Sequence, residues 1–188
     1  KEELINHKTK IERALIYGER AIDTAATKAK RYTSGLLESI TTNIIDMGVI
    51  PTEDEMEAAC ETVFKYGSKK KILVCSPAWI TEINRWGRHK LQTSPLAKEY
   101  GMKIMSYTSA HGEIDLIKSY CLDGNVFGYY AIMLDPKNIK MRFLGSTPWM
   151  FKENIQANDL DGIKHEFFSE LGFMTQVEKS HAIFKFRT

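Results

Sequence analysis

A chain of 188 residues, 43% of them hydrophobic, has room for one domain or two intimate ones and for a sizeable core. Its 26 basic and 24 acidic residues leave a formal net charge of +2, which argues against a nucleic-acid binder driven by general phosphate neutralisation. No apolar run reaches the length of about 18 residues that a membrane-spanning helix needs.

From the first residue, Leu4, Ile11, Leu15 and Ile22 fall on one stripe at helical spacing, with Lys8, Lys10, Glu12, Arg13, Glu19 and Arg20 largely off it. The pattern predicts one amphipathic helix over 1–31, about 45 Å long if it runs to Lys30, with a bend near Gly18. Thr33-Ser34-Gly35 breaks it. Thr52 with Glu55 makes a capping box for a helix whose buried face is Met56, Ala59, Cys60, Val63 and Phe64, and Gly67 ends it. Lys71–Cys75 reads as a short buried strand. Ser76-Pro77 then starts a helix as N-cap and first-turn proline, with Ile80, Ile83 and Trp86 on its apolar face.

Strands are expected at Lys103–Tyr107 and Ile114–Tyr120, joined at Ala110-His111-Gly112, and again from Tyr129 to Leu134. Asp135-Pro136-Lys137-Asn138 has the form of a type I turn with proline at its second position, and Ile139–Leu144 then alternates apolar with basic. The amide-rich stretch Asn154–Gly162 reads as a link between domains. A long strand over Ile163–Val177 follows, then a turn at Glu178-Lys179-Ser180-His181, in which His181 is a turn residue, and a last strand over Ala182–Phe186.

No chemistry-bearing constellation emerges. The five histidines have neither the i, i+4 spacing of a helical zinc site nor a cysteine at ligand spacing, so no metal or cofactor is expected. Asn158-Asp159-Leu160-Asp161-Gly162 lacks the closing glutamate of a calcium loop, because that place is held by Ser169. Gly124–Gly128 lacks the Lys-Ser/Thr of a phosphate loop. Cys60, Cys75 and Cys121 are odd in number and sit in apolar contexts, which reads as buried thiols. The best basic–aromatic cluster is Arg85, Trp86, Arg88, His89 and Lys90.

Several stretches, in order, resemble tailed-phage major capsid proteins of the Hong Kong 97-like type. They are Phe64–Ser68, Ser76-Pro77, Ile83–Arg88, Tyr107–Gly112, Leu134–Lys140, Lys152–Gly162, Ser169–Phe173 and Ser180–Ile183. The resemblance implies an α+β fold in which an axial α/β domain, 33–153, is inserted into a peripheral domain made of 1–32 (a spine helix) and 154–188 (long antiparallel strands). It implies a non-enzymatic shell subunit that forms hexamers and pentamers with copies of itself around a packaged genome. Other head proteins and weak non-specific contact with DNA are further expected partners. The subunit would be assembled in the host bacterial cytoplasm and end in the virion. Trp86, Arg85, Arg88, Trp149 and Tyr129 are the candidate interface residues, since interface cores favour Trp, Tyr and Arg. The extended loop and N-terminal arm of such shells would precede the first helix, so the chain is expected to be a fragment. Two other readings stay open: a nucleic-acid-binding or enzymatic α/β domain using the Arg85–Lys90 cluster, and a cellular nanocompartment shell.

Overall fold

The computed structural model describes residues 2–25, 29–86, 91–92, 105–144, 149–159 and 161–187. In chain order the elements are α1 (Glu2–Tyr17), β1 (Ala21–Asp23), β2 (Lys30–Tyr32), α2 (Leu36–Ser39), β3 (Ile44–Asp46), α3 (Glu53–Val63), β4 (Lys70–Cys75), α4 (Pro77–Trp86), β5 (Leu91–Gln92), β6 (Met105–Thr108), β7 (Glu113–Lys118), α5 (Gly124–Phe127), β8 (Tyr130–Leu134), β9 (Ile139–Phe143), β10 (Met150–Lys152), β11 (Glu166–Phe168), β12 (Leu171–Thr175) and β13 (Ala182–Lys185). This is an α+β chain. It divides into two compact units, the first Lys1–Glu38 with Lys140–Met174, the second Ser39–Ile139 with Thr175–Thr188. These breaks fall elsewhere than the boundaries at 32/33 and 153/154 drawn from sequence.

The first unit is built from helix and ribbons. Helix α1 stops at Tyr17, short of the expected 1–31, and residues 21–23 and 30–32 pair instead as an antiparallel ribbon. The reason is non-local. Gly35 donates its backbone N–H to Gly18 O at 2.6 Å, and a Cβ on Gly18 would meet Thr33 O at 2.7 Å. Only a pair of glycines lets the two backbones approach so closely. The expected long strand 163–177 is two strands: β11 pairs antiparallel with β10, while β12 pairs with β9. Residues 154–162 therefore lie within the β10–β11 hairpin connection and are not a crossing between domains. Their amides do satisfy backbone groups, with Lys164 N–H donating to Gln156 Oε1 at 3.2 Å. Among the described residues, only Ile16 and Leu36 of this unit are buried apolar side chains.

The second unit carries the core. Its seven-stranded sheet runs β3-β13-β8-β4-β7-β6-β5. β4 pairs parallel with β7 and antiparallel with β8. The capping box is present, with Glu55 N–H to Thr52 Oγ1 at 3.3 Å and Thr52 N–H to Glu55 Oε2 at 3.0 Å, and α3 buries Met56, Ala59, Cys60 and Val63. Ser76 Oγ accepts from Trp79 N–H at 3.4 Å at the start of α4. Trp79 is fully buried, edge-on to Phe186 at 5.2 Å and to Trp86 at 6.3 Å. The last strand overturns an expectation. β13 lies between β3, its parallel partner, and β8, its antiparallel one, so it belongs to this sheet and not, as drawn from sequence, to the unit that holds residues 1–32. Ala182, Ile183 and Phe184 are buried in succession, as a strand covered on both faces requires.

Candidate assembly interface

A cluster of exposed aromatic and apolar side chains lies on the β10–β11 ribbon of the first unit. Antiparallel register puts Phe151 opposite Phe167, with ring centroids 4.9 Å apart. Since alternate residues share a strand face, Trp149 and His165 flank this pair diagonally, at 5.9 Å from Phe167 and 5.5 Å from Phe151. Helix α1 meets the same face: His7 Nε2 lies 3.0 Å from Ser169 Oγ, and Lys8 Nζ sits 5.7 Å from the Trp149 ring centroid. Trp149 and Phe151 each remain 46% exposed and Met150 38%, with Ile163 also exposed. On the opposite face Lys152 Nζ lies 4.2 Å over Phe168. The ribbon is thus an aromatic strip edged by cations, a composition that suits a protein interface.

The sequence named Trp149 but missed Phe151, Phe167 and His165. The signal was there: aromatic side chains at 149 and 151, and at 165 and 167, with the two-residue period of one strand face.

The other candidates are scattered. Trp86 is half-buried at the end of α4 and donates its indole N–H to Pro51 O at 3.1 Å. Arg85 is tied to the Glu82 carboxylate, 3.0 Å from each oxygen. Tyr129 is half-buried, edge-on to Phe186 at 5.2 Å, with the Arg187 guanidinium 5.3 Å from its ring centroid. Arg88, His89 and Lys90 lie outside the described residues. A separate open groove of about 640 Å³ in the first unit is lined by Lys30, Arg31, Arg142, Phe143 and Glu170, among others. Among the described residues no group of three His, Cys, Asp or Glu side chains is placed to hold a metal ion.

Cys60 and Cys75 are buried thiols, as read from sequence, and Cys121 is half-buried. Burial, then the nearby Glu57 carboxylate, pushes the Cys60 thiol up to about 12, and burial pushes Cys75 up as well. Thiols held this firmly protonated are poor nucleophiles.

Comparison with known proteins agrees with the architecture. The fold is similar to a chain of Mycobacterium phage Patience, with a TM-score of 0.56 at 9% identity, over 98% of this chain and 63% of that one. It is similar also to a chain described as a prophage capsid protein (E. coli CFT073), with a TM-score of 0.54 at 8% identity, over 95% of this chain and 61% of that one. The chain therefore spans less than two thirds of either. No curated protein sequence matches it. The SU10 major capsid protein family matches residues 1–186, and the chain belongs to that family.

Proposed function

We propose that this chain is the shell-forming part of a phage head subunit, which joins copies of itself side to side. The observation that carries the reading is the poverty of the first unit's own core. Residues 1–38 and 140–174 bury only Ile16 and Leu36 among the described residues, yet present Trp149, Met150, Phe151, Phe143, Leu144 and Ile163 to solvent. So much apolar surface on so small a unit marks an interaction face. Neighbouring subunits would supply the missing core, with the Trp149–Phe151–Phe167 strip as its centre and Trp86, Arg85, Arg88 and Tyr129 as further contacts. The second unit would take the axial role and the first the peripheral role of a Hong Kong 97-like subunit. Hexamers and pentamers, assembly in the host cytoplasm, and weak DNA contact through the Lys30–Arg31–Arg142 groove complete the proposal. The role is structural, without catalytic turnover. The Arg85–Lys90 alternative is not adopted, because Arg85 is already neutralised by Glu82.

Hydrogen exchange on the complete subunit, free and in assembled particles, tests this. Amides of β10 and β11 should exchange fast in free subunits and become protected on assembly, while those of β4, β8 and β13 are protected in both. Equal protection of β10 and β11 in the free subunit would refute the incomplete-core argument.

A further inference from the structure

We propose that a buried node of Lys71, Asp135 and His181 is an acid-sensitive latch that clamps together two of the three chain segments by which the second unit connects to the first. Sequence reading made His181 a turn residue, but it is fully buried, as are Lys71, Asp135 and Ser180. The chain leaves the second unit just after Asp135–Asn138 and re-enters it just before Gln176–His181. Those are the segments the node holds. Asp135 N–H donates to His181 Nδ1 at 3.1 Å. Nδ1 therefore carries no proton, and the neutral ring's hydrogen sits on Nε2, 3.2 Å from the Gln176 carbonyl that accepts it. Gln176 N–H in turn donates to Asn138 O at 2.7 Å. Lys71 Nζ reaches in from β4, donating to Ser180 O at 2.7 Å and Tyr66 O at 3.0 Å.

The node has no spare acceptor for a second histidine proton. The Asp135 carboxylate already accepts from Ser68 N–H (2.7 Å), Ser68 Oγ–H (2.8 Å), Lys137 N–H (3.1 Å) and Asn138 Nδ2–H (2.9 Å). Protonation at Nδ1 would set two donors, the ring and the Asp135 N–H, against each other, and the contact must open. The charged groups facing the ring are Lys71 from β4, Asp135 at the end of β8, and Glu178 from the preceding turn. Burial first, with the Lys71 charge, outweighs the Gln176 carbonyl hydrogen bond and the two carboxylates and holds His181 below its ordinary value of 6.5. The folded state thus binds this proton more weakly than the unfolded chain does. The latch's contribution is complete above 6.5 and drains away as pH falls below it. Asp135, also held below its ordinary value, contributes a separate loss only below 3.8.

The experiment is thermal unfolding of the chain by circular dichroism between about pH 7.5 and pH 5, for wild type and His181→Asn. Asparagine keeps an acceptor near the Nδ1 position but cannot be protonated. Wild type should lose roughly 3 °C or more over this range, and H181N at most half as much. No loss in wild type, or an equal loss in H181N, overturns the latch. If H181N does not fold, long-range proton–nitrogen NMR of wild type decides instead. A proton on Nε2 and a midpoint below 6.5 support the proposal, whereas a proton on Nδ1 or a midpoint at or above 6.5 overturns it.

Discussion

Trp79→Ala should be among the most damaging single substitutions in the second unit. The indole is fully buried and touches Phe184, Phe186 and Trp86, at ring separations of 6.1, 5.2 and 6.3 Å. Deleting a buried Trp side chain costs about 3–5 kcal/mol through lost transfer energy and the cavity left behind. The hydrogen-bond share of this is small. Trp79 Nε1–H donates to Tyr129 O at 2.7 Å, but that carbonyl also accepts from Phe186 N–H at 3.3 Å and is not orphaned. Trp79→Phe keeps most of the ring and should therefore cost only about 1–2 kcal/mol. A domain is stable by roughly 5–15 kcal/mol in all, so Trp79→Ala removes a large share. Guanidinium unfolding followed by near-ultraviolet circular dichroism measures both. If Trp79→Ala lies within about 1 kcal/mol of wild type, or if Trp79→Phe is as damaging as Trp79→Ala, the assignment of this side chain as the centre of the core is wrong.

Thr52→Ala removes the Oγ1 that accepts from Glu55 N–H, one of the two hydrogen bonds of the capping box on α3, and should lower stability by about 1 kcal/mol, read as a shifted urea midpoint with unchanged slope. Glu178 accepts from the hydroxyls and backbone N–H groups of Thr42 and Thr41, the Thr42 hydroxyl acting most strongly, and its carboxyl is held down to about 2. Its contribution is present above the ordinary 4.5 and lost as pH falls toward 2, so Glu178→Gln should lower the melting temperature at neutral pH and flatten the acid limb; parallel melting curves for both proteins below pH 4.5 would contradict this. A thiol reagent under native conditions should label Cys121 well before Cys60 or Cys75, with mass spectrometry of the digested protein giving the order.

What could be read from sequence was what local chemistry decides. The Thr52–Glu55 box, the Ser76-Pro77 start, the Asp135-Pro136 turn and the hairpin at residues 109–112 each follow from residues within a few positions of one another. The errors came where distant segments decide. Gly18 ends a helix because Gly35 packs on it, and the apolar stripe up to Ile22 carries no sign of that partner. Residues 163–177 have strand character throughout, but two different ribbons claim the halves. The interface candidates show the same split. Trp149 stands out by residue type, whereas the pairing of Phe151 with Phe167 comes from a cross-strand register that the two-residue period within each segment does not by itself reveal. His181 does close the turn read at 178–181, donating its N–H to Glu178 O, but its burial depends on Lys71 and Asp135 far away in the chain.

The interior position of β13, between β3 and β8, also bears on the order of synthesis. A nascent chain has made α3, β4, α4, β7 and β8 long before residues 182–185 emerge, so until then β8 has only one neighbour and β3 has none. Two strand edges rich in Ile, Ala and Met stand open on the ribosome during that interval, and such edges template pairing with other chains. The closing step pairs β13 with β3 across more than a hundred residues of chain, which makes it slow for its size. Substitutions at Ile183 or Phe184 should therefore reduce the yield of soluble protein by more than their loss of equilibrium stability accounts for.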